Sequence, residues 1–159
     1  MHRIATYRLL LLVMPILFTL LPEDGKAQDK NKTEAITKQI HVLFDGMRAG
    51  DSTAVRSVLM QECTLYSAMR TPDSTSVLQS GDIESFISAV GTPHEEVWDE
   101  KISNLIIHVD DNMATAWMDY RFYRGDKFSH CGTNVMQFFL SNEGWKIIHL
   151  MDTRKKKCD

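Results

Sequence analysis

The stretch from Glu95 to Thr153 constrains the fold most, because it reads as four long strands separated only by tight turns. The strand-like pieces are Glu95–Val109, Met113–Arg124, Lys127–Leu140 and Trp145–Thr153. Between them stand Asp110-Asp111-Asn112, Gly125-Asp126 and Ser141-Asn142-Glu143-Gly144, which supply the residues that tight antiparallel turns require. Connections this short permit only an antiparallel meander, since a parallel pair needs a long crossover.

The preceding residues read as helices around a first hairpin. Ile36, Ile40, Leu43, Phe44 and Met47 recur at spacings of three and four, which predicts a helix from about Thr33 with one apolar face. Asp51 or Ser52 then caps a short helix through about Met60, with Ala54, Val55, Val58 and Leu59 on its apolar side. Cys63–Met69 is apolar and β-prone, Arg70–Ser74 is a proline-containing turn, and Thr75–Gln79 returns as a second strand. Ser80-Gly81-Asp82 caps a third helix, Ile83–Val90. Helices first and long antiparallel strands last define an α+β domain. A long curved sheet partly covered by helices leaves a pocket on its concave side.

Ahead of the domain, Arg3 and Arg8 precede the apolar run Leu9–Leu21, and Gly25 and Ala27 provide small residues. This pattern predicts a signal peptide, residues 1–27, and a single domain over 28–159 that is periplasmic or secreted and has no stable membrane anchor after cleavage. The net charge is −3, and the one dense basic run, Arg154–Lys157, lies at the terminus without interleaved aromatics. A nucleic-acid partner is therefore not expected. Cys63, Cys131 and Cys158 allow at most one internal bridge. Cys131 with Cys158 is one option if the tail folds back, and harmless buried thiols are the other. No cysteine or histidine spacing suits a metal, so neither a metal site nor a cofactor is expected.

Alternation along a strand tells which side chains share a face. Phe128, His130, Gly132, Asn134, Met136, Phe138 and Leu140 form the bulkier, more apolar set and are assigned to the interior. His130 then points in and Cys131 out, so the two neighbours do not form a catalytic pair. Tyr120 shares an inward face with Ala114, Ala116, Met118 and Phe122, while Trp117, Asp119 and Arg121 face outward. Asp152 faces out if Trp145, Ile147 and His149 face in, unless a bulge intervenes.

Several pieces together resemble a known family. They are Asp111–Trp117, Tyr120-Arg121-Phe122-Tyr123, Phe128-Ser129-His130-Cys131-Gly132, Gly144-Trp145-Lys146-Ile147 and Asp152-Thr153-Arg154. With the order of elements, they resemble exported bacterial members of the nuclear transport factor 2-like superfamily, which includes SnoaL-like polyketide cyclases and ketosteroid isomerases. The resemblance implies a cone-shaped fold, a curved mixed or antiparallel sheet with about three helices over its concave face. It also implies frequent dimers through the outer sheet faces. The superfamily holds binders, enzymes and docking modules, so fold does not settle activity.

The candidate site residues are His130, Tyr120 and Asn134 for ligand binding, and His130, Asp152 and Tyr120 for catalysis. An imidazole in a sheltered pocket exchanges protons near neutral pH. A tyrosine hydroxyl stabilises a ligand oxyanion. An aspartate paired with His130 would orient its ring. Each also has a purely structural explanation: a satisfied core histidine, a core aromatic, a local ion pair with Arg154. Glu62, Asp73 and Asp82 sit at element ends and read as solvated surface. The expected function is binding of a small apolar or aromatic ligand. An isomerase, cyclase or dehydratase acting without metal comes second, and a homodimeric interaction module third.

Overall fold

The computed structural model of the chain describes the backbone of residues 24–158 and the side chains of residues 29–158. Three helices, α1 (Asp24–Ala49), α2 (Ser52–Val58) and α3 (Ile83–Gly91), accompany six strands. The strands are β1 (Leu59–Arg70), β2 (Ser76–Gly81), β3 (Trp98–Asp110), β4 (Met113–Arg124), β5 (Lys127–Ser141) and β6 (Gly144–Arg154). They form one sheet in the order β2-β1-β6-β5-β4-β3. All neighbours run antiparallel except β1 and β6, which are parallel.

The local chemistry of the ends matches the expected elements. Asp51 accepts from the Ala54 amide at 2.9 Å and Asp82 from the Ser85 amide at 2.7 Å, each satisfying an orphan donor of a first helical turn. Asp111 and Gly125 adopt positive φ (49° and 55°) in the turns after β3 and β4, where Asp and Gly tolerate it. Several boundaries differ from expectation: β2 runs Ser76–Gly81 rather than Thr75–Gln79, β3 begins at Trp98 rather than Glu95, and the largest shifts are at α1 and β1. Helix α1 begins at Asp24 rather than near Thr33, and β1 begins at Leu59, so α2 stops at Val58. The expected leader lies mostly outside the described residues. Among the described residues no helix is long and apolar enough to cross a membrane.

Ile36, Ile40, Leu43, Phe44 and Met47 of α1 are buried against Val55 and Val58 of α2, Ile87 and Val90 of α3, and the inner sheet face. From the sheet come Ala114, Ala116, Met118, Met136, Phe138, Trp145 and Ile147. Burying a side chain of this size contributes roughly 1.5–3 kcal/mol.

Three bulges decide which side chains reach the interior. Between Ser103 and Ile106 the β3–β4 register shifts, with Asn104 at φ 53°, so the inward set changes from Trp98, Glu100 and Ile102 to Leu105, Ile107 and Val109. Between Phe122 and Tyr123 the register skips Ser129, which turns Phe128 outward against Tyr123, ring centroids 5.8 Å apart. Phe128 is therefore exposed, not interior as alternation predicted, and Leu140 at the far end of β5 is exposed as well. Between Gln137 and Phe138 the register skips Ile148. His149 then faces out, bonded through Nδ1 to Thr64 Oγ1, while Leu150 and Asp152 face in.

Candidate functional site

The inner sheet face, α1 and α3 enclose a cavity of about 460 Å³. Its apolar walls include Leu43, Phe44 and Met47 of α1, Phe86 of α3, Leu65 of β1 and Leu150 of β6. Trp98 and Phe122 complete an aromatic side, with rings edge to face and 6.3 Å apart. Trp98 is held from behind by His94, stacked at 3.9 Å, whose Nε2 lies 2.9 Å from the Ala89 carbonyl. The polar groups on the wall are Glu100, Asn134, His130, Asp152, Arg124 and Arg154.

The register of the strands assembles the polar floor. Met118, Asn134, Asp152 and Ser67 pair consecutively across β4, β5, β6 and β1. Ser67 Oγ donates to Asp152 Oδ1 in a short contact. Tyr120 Oη, buried, donates to Asp152 Oδ2 at 2.9 Å and lies equally close to the Thr153 carbonyl. Arg154 Nε donates to the same carboxylate oxygen at 2.9 Å. A buried carboxylate needs such partners, because removing charge from water without compensation costs several kcal/mol.

Gly132 makes the Tyr120 contact possible. It faces Tyr120 across the β4–β5 ladder, and a Cβ there would lie 1.7 Å from the Thr153 carbonyl oxygen. That carbonyl has turned inward toward Tyr120, and the Thr133 amide, deprived of it, donates to Thr153 Oγ1 at 3.0 Å instead. Beyond this point the tail folds back. Lys155 and Cys131 exchange backbone hydrogen bonds at 2.8 and 3.0 Å, and Cys131 is bridged to Cys158 on the outer side of the sheet. Cys63 is a buried free thiol, pushed up to about 11 by desolvation.

Electrostatics separate the titratable groups. Burial pushes Glu100 up to about 7; the nearby Asp152 charge adds to this, while the Asn134 amide, donating to Glu100 Oε1 at 2.6 Å, and Arg154 oppose it. Burial, and then the Asp152 charge, raise Tyr120 far above its ordinary value, so its hydroxyl stays a donor. Burial lowers His130, Arg154 and Lys156 lower it further, and Asp152 opposes them.

The structure brings all four sequence candidates to one region. His130 and Asn134 line the cavity, Asp152 lies in its floor, and Tyr120 sits behind the floor bonded to Asp152. The His130–Asp152 pair does not form as a hydrogen bond. Asp152 is engaged by Ser67, Tyr120 and Arg154, and His130 Nδ1 lies 3.0 Å from Ser129 Oγ. The His130 ring stands edge-on to Tyr120 at 5.7 Å and tilted against Phe122 at 5.0 Å. Sequence reasoning passed over Glu100 and Ser67. A usable signal existed for Glu100, since Trp98, Glu100 and Ile102 alternate, placing a carboxylate within an apolar face. Ser67 had none, because its pairing with Asp152 depends on the parallel β1–β6 contact. Among the described residues no cluster of three or more His, Cys, Asp or Glu is placed to hold a metal ion.

A cone of this kind, with a curved six-stranded sheet closed by three helices over an inner cavity, defines the nuclear transport factor 2-like class. Solved structures agree. A nuclear transport factor 2-like protein of unknown function from Shewanella baltica superposes with TM-score 0.62 at 16% identity, covering 80% of this chain and 96% of that one. A nuclear transport factor 2-like protein with a cystatin-like fold from Novosphingobium aromaticivorans gives TM-score 0.66 at 12% identity, covering 85% and 89%. A protein from the same organism described as a "Putative Scytalone Dehydratase" gives 0.65 at 12%, covering 84% and 91%. Within that class the chain belongs to the family described as "Putative lumazine-binding", whose model matches residues 31–151. No curated protein matches the sequence.

Proposed function

We propose that this chain is an exported small-molecule-binding domain whose ligand, a compact apolar or aromatic compound, occupies the cone cavity. The observation that carries the reading is the cavity itself: about 460 Å³, apolar on most sides, with a few polar groups gathered on the floor and rim. This is the usual make-up of a small-molecule site, in which apolar walls supply affinity and a few polar groups set orientation. The family description names lumazine, a small flat heterocycle, which supports a planar ligand against Trp98 and Phe122. His130 and Asn134 serve as polar anchors, and Tyr120 acts through Asp152. Export is supported by the basic-then-apolar start of the chain and by the Cys131–Cys158 bridge, a feature of oxidising compartments.

The test is mass spectrometry of small molecules that co-purify with the protein, repeated for His130→Ala. The wild-type protein should carry a defined compound that the variant retains at under about a tenth of the level. An identical profile in both would remove His130 from the site, and no bound compound at any growth condition would count against the pocket.

Glu100 favours a second reading, acid–base catalysis. A carboxyl that titrates at about 7, beside the Asp152–Tyr120 pair, is matched to proton transfer at neutral pH. A dehydration or isomerisation of the bound compound is the reaction class, in keeping with the description of one structural neighbour. Turnover that survives Glu100→Gln unchanged would exclude it.

The proposal includes a homodimer through the outer sheet face. Ile106, Trp117, Val135, Met151 and Tyr66 are joined by register into one row across β3, β4, β5, β6 and β1. Ile106 and Trp117 are exposed in the single chain. A contiguous apolar row of this kind is a common mark of a covered surface.

A further inference from the structure

The mouth of the cavity gathers cations whose outer ends are free. Arg154 is fixed through Nε by Asp152, itself held by Ser67 and Tyr120, so the guanidinium has a set orientation. Its two Nη atoms have no hydrogen-bond partner among the described residues. Arg124, at the end of β4, approaches Glu96 through Nε at 3.4 Å and likewise keeps both Nη atoms unpartnered among the described residues. Glu96 is shared with Lys127 at 3.2 Å, so one carboxylate stands against two cations. His130 has Nδ1 beside Ser129 Oγ at 3.0 Å, and its Nε2 is unpartnered among the described residues. A serine hydroxyl that donates to Nδ1 leaves the ring proton on Nε2, and a protonated ring carries an Nε2 proton as well. Arg124, His130 and Arg154 all line the one cavity.

Both arginine side chains are at least half exposed, so their free ends are open to solvent and to an incoming group, and their planar forks match a carboxylate or sulfonate geometry. We infer that this mouth is an anion subsite, in which Arg154 and Nε2 of His130 take a carboxylate or sulfonate on a ligand whose apolar body fills the cone, and Arg124 adds positive charge at the rim. The inference rests on reading the cavity as a ligand pocket and specifies the chemistry of what enters it. The deep end then calls for no charge on the ligand. Asp152 is already compensated, and Glu100 beside Asn134 faces the uncharged body of the ligand.

The groups that face His130 are Arg154 and Asp152 from β6, Lys156 from the tail, Tyr120 and Phe122 from β4, and Ser129 next to it. Burial, and after it the Arg154 and Lys156 charges, hold its proton affinity down. An anion seated among them offsets those charges, so binding raises the titration midpoint of His130.

Naphthalene-2-carboxylate, naphthalene-2-sulfonate and naphthalene-2-carboxamide share a ring body and differ in charge. In calorimetric titrations at low salt both anions should bind at least about tenfold more tightly than the amide. Arg154→Gln should cut that preference below about threefold, and nuclear magnetic resonance should show the His130 midpoint moving up with either anion. Arg124→Gln, which leaves the Asp152 network untouched, should lower the preference by about threefold and serves where Arg154→Gln does not fold. Equal affinity for all three compounds, or a preference that survives both variants, overturns the anion subsite while the pocket reading stands. Failure of all three to bind overturns both.

Discussion

Glu100 is the residue whose environment is most at odds with its charge. Its ordinary value is 4.5 and in the folded cone it is pushed up to about 7, chiefly by burial. Below the ordinary value both folded and unfolded chains hold the proton, and Glu100 leaves stability unchanged. As pH rises from there to about 7 only the folded chain keeps it, so stability falls; above about 7 the full penalty is present, of order 3 kcal/mol. Glu100→Gln retains an oxygen for the Asn134 amide and cannot ionise. The variant should exceed the wild type in urea denaturation by up to about 3 kcal/mol at pH 8, with the gap closing near pH 4. A gap of the same size at both pH values would mean that the carboxyl is not desolvated. Gly132 is constrained in a different way, since Thr153 occupies the space of any side chain there.

At the scale of elements, the end of β6 does two jobs. Its inner side presents Asp152 and Arg154 to the cavity, and its backbone continuation is pinned to β5 by the Lys155–Cys131 bridge and the disulfide to Cys158. The covalent link closes a 27-residue separation, for which loss of chain entropy in the unfolded state predicts about 3.5 kcal/mol of stabilisation. Cys158→Ser should lower stability by about 2–4 kcal/mol in chemical denaturation. It should also weaken ligand binding, because Thr153 and Arg154 lose their anchor just beyond the strand. Unchanged stability in Cys158→Ser would show the tail to be independent of the sheet.

For the whole molecule, the division between the two sheet faces is the organising fact. The concave face holds the cavity, and the convex face carries the row from Ile106 to Tyr66. Trp117, exposed on β4 beside the edge strand, would anchor the proposed back-to-back pair. Trp117→Asp should convert a dimer into a monomer in sedimentation velocity with ligand binding retained, because the side chain lies on the opposite face from the cavity. A wild-type protein that sediments as a monomer at high concentration would dispose of the dimer.

The order of elements, the turns and the two capped helices were legible in the sequence, because periodicity, Asp caps and Asn/Asp/Gly turns are local properties. So was the division of β4 into Tyr120 inward and Trp117 outward, since that strand pairs with β5 without interruption through its central part and the bulge on its other side lies in β3. The facing of Asp152, the outward turn of Phe128, the placement of Glu100 beside Asn134 and the Ser67–Asp152 contact were decided by tertiary structure. Each depends on a bulge or on the β1–β6 pairing. A bulge accommodates the twist of one strand to its neighbour, so its position is set by partners far away in sequence. Alternation counted along a single strand has no knowledge of those partners. The helical shell and the sheet follow from residue patterns, while the chemistry of the chamber they enclose follows from how six strands bend around it.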